Sequence, residues 1–586
     1  MIPIDAAVML TARRQSLWRY FRSAWVQFSI GAVFLIATNL MALRIPRQVG
    51  RSIGHLRDAK TLADIDVALV EGFAWTIAGL ALGAACARIF SRIFVFNAAR
   101  RIEYDLRNEL FAHLTRLDLP FFQRSATGDL VSRITNDVTY IRLLYGISVL
   151  HAVNTTVAYI IVLGLMTSVS SKLTLYALAP YPLFLLTIGW FTQAIYKRTQ
   201  AAQETLSDVS ARAQENLAGV SVIKAFNSQE REKAAFRKVS DQYLERNLAL
   251  ARVRGALNPY MASIGGVGTL LVLWLGGQEV IDGTLTLGQY VEFSGYIVAL
   301  AFPTIAMGWV VSVWNRGVAA MDRLLHILHA QPNVTQDPDA APIDPDKPLG
   351  DLVFEDVTLA YEDGTVALED INLTIPQGAR VAIVGRTGSG KSTLVHLIPR
   401  LRDPTKGRIT LGGKPLQKLE LVGLRSQIGY VPQDPFLFSM SIEDNVRLGQ
   451  HEGSDTGPGL KKALQIAHIG HDLEAMPQGL QTMVGERGIT LSGGQKQRLT
   501  IARAVLLDPR LLILDDALAS VDAATERQII TELDRIMEGR TSILVTHRYN
   551  ALESVDEIVA LDQGRTVQQG SHPAPPNPPA PSPPPP

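Results

Sequence analysis

Gly385-Arg-Thr-Gly-Ser-Gly-Lys391-Ser392-Thr393 is the stretch on which the reading of this chain turns. It follows the apolar run Arg380-Val-Ala-Ile-Val384 and precedes Leu394-Val-His-Leu-Ile, so strand, glycine-rich loop and helix come in that order. This is the phosphate-loop pattern GxxxxGK[ST] in the context that gives it meaning. Gly385, Gly388 and Gly390 let the backbone wrap closely, so that loop amides, including those of Thr387 and Ser389, can point at phosphate oxygens. The following helix offers its positive end to the same anion. Lys391 is expected to reach the β- and γ-phosphates and the Ser392 hydroxyl to take a place on Mg²⁺, with Thr393 opening the helix beside them.

A second nucleotide element lies downstream in Leu511-Leu-Ile-Leu-Asp515-Asp516. Four apolar residues read as a buried strand that delivers Asp515 beside the loop, where a carboxylate can hold Mg²⁺ directly or through water. An α/β domain is expected from Leu352 onward, because short apolar strands there alternate with helices and are separated by Gly, Asp and Asn turns.

Outward from this domain the composition changes. The chain has 586 residues, too many for one core, and 47% are hydrophobic, with the excess in the first 320 residues. A net charge of +1 argues against a nucleic-acid partner, and the single Cys86 forms no disulfide within the chain. Apolar stretches near 25–45, 71–97, 143–168, 173–195, 256–277 and 288–314 are each long enough to cross a bilayer as a helix of about 20 residues. The basic N-terminus, with Arg13, Arg14, Arg19 and Arg22, fits a retained first span rather than a cleaved leader. Two long gaps, 98–142 and 196–255, carry Arg100, Arg107, Arg142, Lys197, Arg212 and Lys224 and are placed on the cytoplasmic side. Both read as helical hairpins, with tips expected at 123–129 and near 207–214. Arg47, Arg51, Arg57 and Lys60 in the first outer loop run against the charge rule.

The expected division is a six-helix transmembrane domain over 1–330, a linker rich in Pro and Asp over 331–350, a nucleotide-binding domain over 351–572 and a proline-rich tail over 573–586. The fold class is thus an α-helical membrane domain followed by an α/β phosphate-loop domain.

Between the two nucleotide elements stands Leu491-Ser492-Gly493-Gly494-Gln495, followed by a helical Lys-Gln-Arg-Leu-Thr-Ile-Ala-Arg-Ala. With it the chain resembles the ATP-binding cassette (ABC) transporters, whose signature is this LSGGQ run. The resemblance extends to Tyr361, where the family stacks an aromatic on adenine, and to Gln433 of the Q-loop, implied in catalysis and at the Mg²⁺. It covers Gly485-Glu-Arg-Gly, Asp522 of the D-loop and the switch histidine, His547. Thr127-Gly-Asp129 and Gly219-Val-Ser-Val-Ile-Lys224 are similar to the two intracellular loops of the exporter branch. Family membership implies ATP and Mg²⁺ as ligands and a pair of cassettes, each ATP lying between one chain's phosphate loop and the other's signature. It also implies a bilayer lipid environment, a small amphipathic substrate and a bacterial-type cytoplasmic membrane with the cassette inside the cell.

One departure from the family is chemical. The residue after Asp515, normally Glu, is Asp516. A general base must approach the attacking water to about 2.6–3.2 Å, and one lost methylene retracts the carboxylate by about 1.5 Å, a displacement on the scale that costs on the order of 10²-fold. The expectation is a site that binds ATP and hydrolyses it poorly, as in one subunit of heterodimeric multidrug exporters. A homodimer, a lipid flippase or importer, and an ATP-gated channel are the alternative readings. A second departure is the run into proline after His572, where the family continues helically.

Overall fold

A computed structural model describes residues 6–58, 66–344, 347–450, 457–485, 488, 491–519, 521, 523–547, 552 and 555–571. The proline-rich tail, Asp522 and residues 486 and 487 of the exporter loop lie outside the described residues. The chain divides into two compact units, Met1–Thr115 with Gly128–His329, and Arg116–Thr127 with Ala330–Pro586.

The first unit is helical. Among the described residues, four of its helices are long and apolar enough to cross a membrane, Trp25–Asp58, Val67–Leu114, Thr127–Val169 and Leu287–Leu328. The 48 residues of Val67–Leu114 give a helix of about 72 Å, more than twice a hydrocarbon core of about 30 Å. Its surplus is the charged end, where Glu103 is buried and holds Arg100 at 3.1 Å, Arg107 at 3.0 Å and Arg142 at 3.4 Å. Arg142 comes from Thr127–Val169, so this carboxylate ties the two legs of the first hairpin. Gly50 and Gly288 set the approach of two other membrane helices: a Cβ on either would lie 2.3 Å from the other's carbonyl oxygen. Small residues at such crossings let backbones touch.

The expected span 173–195 is interrupted. Helix Ser171–Leu178 stops before Pro180, and Tyr181–Ala218 begins after it, because proline lacks the N–H that a continuous helix needs. The expected span 256–277 lies at the end of Gln229–Leu271 and in the wide turn Val272–Gly276. The second hairpin tip is also corrected. Residues 207–214 lie inside Tyr181–Ala218, and the chain reverses at 219–228 around the short helix Val220–Ala225. Gly219 ends the first leg, and Asn227 takes a left-handed φ of 49° just before the second, the role for which Gly and Asn are suited.

Among the described residues the second unit contains ten strands. Antiparallel strands β1 (Leu352–Ala360), β2 (Val366–Ile375), β4 (Lys406–Leu411) and β5 (Lys414–Pro415) form a sheet ordered β2-β1-β4-β5. The larger sheet comprises β3 (Arg380–Gly385), β6 (Ile428–Val431), β7 (Leu511–Asp515), β8 (Thr541–Val545), β9 (Glu557–Asp562) and β10 (Arg565–Ser571), ordered β10-β9-β3-β8-β7-β6. It is parallel except for β10. Every residue of β7 and β8 is buried, as a central parallel strand covered on both faces requires.

Within the expected linker, residues 336–341 run along this unit. Gln336 Oε1 accepts from the Leu421 amide at 2.8 Å, Asp337 pairs with Lys418 at 2.7 Å, and the Ala341 amide donates to Lys418 O at 2.8 Å. The first hairpin tip belongs to the same unit, with Asp118 Oδ2 accepting from the Asn333 amide at 2.6 Å.

Candidate functional site

Parallel strands bring their C-terminal ends to one edge, where open α/β sheets place their ligands. Ile383 pairs with Val545, Val545 with Asp515, and Leu514 with Val431. The phosphate loop after β3, His547 after β8, Asp515 and Asp516 at the end of β7, and Gln433 after β6 therefore stand in a row. Residues from four distant parts of the sequence are assembled by sheet order alone.

The loop is shaped by its glycines. Gly385, Gly388 and Gly390 have φ of 154°, 85° and 98°. A Cβ on Gly385 would meet Leu561 O at 2.2 Å, and one on Gly390 would meet Ala367 O at 2.8 Å, whereas Gly388 faces open space. Helix Lys391–Leu397 starts after Gly390 without a side-chain cap, so its first amides are left to another acceptor. Lys391 is buried, and its ammonium donates to the loop carbonyls of Gly385 at 2.9 Å and Arg386 at 2.8 Å. Ser389 is buried as well, and its Oγ has no hydrogen-bond partner. An orphaned hydroxyl at such a place wants a ligand or a water.

Ser392 Oγ donates to Asp515 Oδ1 at 3.1 Å. Asp515 is only 1% exposed. Burial pushes its carboxyl pKa up, the Ser392 hydrogen bond pulls it down, the Asp516 charge pushes it up and Lys391 pulls it down. Burial lowers the Lys391 pKa, against the pull of the same two carboxylates. Two acidic groups beside one ammonium, a hydroxyl at hydrogen-bond distance and an uncapped helix start fit a polyphosphate with its divalent cation. Hard oxygen donors of this kind, one or two from protein and the rest from phosphate and water, are what Mg²⁺ takes.

Asp516 has a left-handed φ of 46°, and its amide donates to Val545 O at 2.9 Å. Backbone strain of this kind gathers at functional sites. Gln433 and His547 are exposed. Tyr361 Oη is 3.1 Å from Thr393 Oγ1, and the Arg402 guanidinium lies 5.0 Å from the centre of its ring. Arg402 also bonds Gln123 of the first hairpin tip, and Arg124 bonds Glu362 beside Tyr361. Sequence reasoning missed this cluster, because nothing local in 398–403 marks Arg402 for an aromatic 41 positions earlier.

The signature residues are built differently. Ser492 caps the 14-residue helix Gly493–Leu506, its Oγ accepting from the Gln495 amide at 3.2 Å while Gln495 Oε1 accepts from the Ser492 amide at 2.9 Å. Gln495 Nε2 donates to Asp472 Oδ1 at 2.8 Å, and Arg498 holds the other Asp472 oxygen at 2.8 Å. Ser492 and Gly493 are exposed. The capping box is readable in Ser492-x-x-Gln495; Asp472 beneath it is not.

Comparison with known proteins agrees with this arrangement. The family profile described as ABC transporter transmembrane region matches residues 28–304, and the ABC transporter profile matches residues 368–519. The chain is 34% identical over 558 residues to the "Probable multidrug resistance ABC transporter ATP-binding/permease protein YheI" of Bacillus subtilis, covering 94% of this chain and 93% of that protein. It is 34% identical over 554 residues to the "Multidrug resistance-like ATP-binding protein MdlA" of Escherichia coli, covering 94% and 92%. Identity to the "ATP-dependent lipid A-core flippase" of Hahella chejuensis is 35% over 480 residues, covering 82% and 81%. Among solved structures, a bacterial Atm1-family ABC exporter with ATP bound superposes with a TM-score of 0.74 at 26% identity, covering 95% of each chain.

Proposed function

This chain belongs to the ABC transporter family as an exporter half-transporter, an ATPase coupled to transport by a multi-pass membrane protein, and on that premise we propose that it is one half of a heterodimeric pump. In this reading the pump moves amphipathic or hydrophobic compounds outward across a cytoplasmic membrane, with the cassettes in the cytoplasm. The names of two relatives, which concern multidrug resistance, support the substrate class. The flippase relative favours lipid as the second reading.

Roles follow from position. Tyr361 stacks the adenine on the ring face that Arg402 leaves free. The loop amides of residues 385–390, the Ser389 hydroxyl and Lys391 hold the phosphates, and Thr393 fixes the Tyr361 hydroxyl. Ser392, Asp515 and Gln433 hold Mg²⁺, which when bound neutralises charge on the phosphates. His547 orients the γ-phosphate and the attacking water from β8. Ser492, Gly493, Gly494 and Gln495 present a helix N-terminus to the nucleotide of the partner chain, and Asp522 takes the D-loop role.

The observation that carries the heterodimer is Asp516. Its backbone is pinned by the Val545 carbonyl at 2.9 Å, so the strand end does not advance to make up the missing methylene. The carboxylate then reaches the water poorly, and proton transfer at Asp516 Oδ is slow. A partner with Glu at this place, completed by the signature of this chain, does most of the hydrolysis. ATPase turnover of this chain alone, with its partner, and as Asp516→Glu checks the reading. The expectation is slow turnover alone, on the order of 100-fold faster in the variant. Brisk turnover of the unpaired chain that the substitution leaves unchanged would sink it. Accumulation of substrate in inverted vesicles against a gradient separates a pump from an ATP-gated channel.

A further inference from the structure

Four membrane helices of the first unit line an open pocket of about 430 Å³, within the range of about 300–1,000 Å³ found for pockets that hold drug-sized ligands; Arg88, Arg92 and Phe302 in its wall are exposed. Its charge is one-sided. Arg88 and Arg92 of Val67–Leu114 line it, no carboxylate does, and neither guanidinium has an ion-pair partner among the described residues. At i and i+4 the two share one helix face about 6 Å apart along the axis.

Arginines near the end of an apolar span ordinarily snorkel, their side chains stretching past apolar surface toward headgroups. The walls opposite them tell against that. His151, from Thr127–Val169, lines the same cavity, and its buried Nδ1 has no hydrogen-bond partner. Asn39 Nδ2 donates to Asn154 Oδ1 at 3.0 Å across two helices, also at the cavity wall. Pro303 has no N–H for the carbonyl of Ala299, and both residues line the space. Ionisable groups inside a membrane segment are costly and mark a binding or transport path by default. A guanidinium offers five donors and no acceptor, and its planar fork matches a carboxylate or phosphate. Beside the hydroxyls of Thr38 and Ser91, the rest of the lining is apolar, with Leu35, Leu43, Leu150 and Phe302.

We propose that this cavity binds an anionic amphiphile, its oxyanion headgroup held by Arg88 and Arg92 opposite His151 and its chain against Leu35, Leu150 and Phe302. The same charges repel cationic amphiphiles, so the site selects by sign as well as by shape. This rests on the export reading and narrows its substrate class.

The test is equilibrium binding to the full-length chain, assembled with its partner in a nonionic maltoside detergent without ATP. Decyl phosphate, decyltrimethylammonium and inorganic phosphate are the probes. Decyl phosphate is expected to bind at least about tenfold more tightly than either of the others. Arg88→Gln with Arg92→Gln lowers its affinity on the order of 10- to 100-fold, Arg88→Lys with Arg92→Lys restores part of it, and ATP affinity, measured separately, reports that each variant is folded. Equal binding of the cationic probe, or an affinity unmoved by the double glutamine variant, overturns the proposal. Inorganic phosphate binding as tightly as decyl phosphate overturns its amphiphile half. Because binding is read without hydrolysis, an assembly that binds decyl phosphate yet fails to pump it supports this site and counts against the export reading alone.

Discussion

The cassette contains two helix N-termini of contrasting finish. At the start of Lys391–Leu397 the cap is Gly390, with no side-chain acceptor, and the lysine beside it is buried against loop carbonyls. At the start of Gly493–Leu506 the capping box already answers the amides of Ser492 and Gln495, and Ser492 and Gly493 are exposed. One end is left unsatisfied inside its own chain, which favours a ligand held there. The other is preorganised and faces outward: the Ser492 hydroxyl accepts within the chain and keeps its proton to donate elsewhere. A helix terminus that can stand alone yet keeps a donor facing out is suited to a partner's anion.

The largest effect is expected from breaking the outward end. Ser492→Arg, in the assembled pair, removes that donor and fills the space before Gly493, and turnover should fall on the order of 100-fold or more. ATP affinity at this chain's own loop should stay within about threefold, because the substitution touches none of its groups. A parallel loss of both would mean that the two termini do not serve different nucleotides. The buried end gives the next effect. Lys391→Ala should weaken ATP binding to this chain by about 10- to 100-fold, the worth of a charged hydrogen bond, read with a fluorescent nucleotide on the unpaired chain. Gln495→Ala sharpens the contrast further. It opens half of the capping box and releases Asp472, which Arg498 still holds. The cost should be about 0.5–2 kcal/mol, seen as a cassette Tm lowered by about 2–4 °C per kcal/mol.

Much of this site is legible in the sequence because its signals are local. Loop glycines, an apolar run ending in Asp515, and Ser492-x-x-Gln495 each state their geometry within ten residues. Partners brought in by the fold are not legible: Arg402 on Tyr361, Asp472 under Gln495, and His151 opposite Arg88 and Arg92 depend on packing between distant segments. The misplaced second hairpin tip has the same origin. Residues 207–214 look like a tip by polarity, yet without a breaker the helix continues through them to Gly219. The interrupted segment 173–195 shows the converse, since apolar length suggested one helix and Pro180 divides it.

The smallest effect concerns the underside of the buried terminus. His396 lies on the phosphate-loop helix, and its Nε2 is 3.0 Å from Tyr430 Oη. Burial, helped by the Arg402 charge, lowers its pKa. The unfolded chain, with a reference value of about 6.5, therefore binds this proton at pH values where the folded cassette does not. Stability from the neutral imidazole is complete above about pH 6.5 and is lost as the pH falls through the lowered folded value. The Tm of the wild-type chain, followed from pH 7.5 down to pH 5.5, should decline more steeply than that of His396→Gln. The capping box of the signature helix, Ser492 with Gln495, contains no titrating group. A Tm profile unchanged by His396→Gln would show that the imidazole is not held neutral at the base of the loop, and the contrast between a buried and an exposed terminus would lose its electrostatic part.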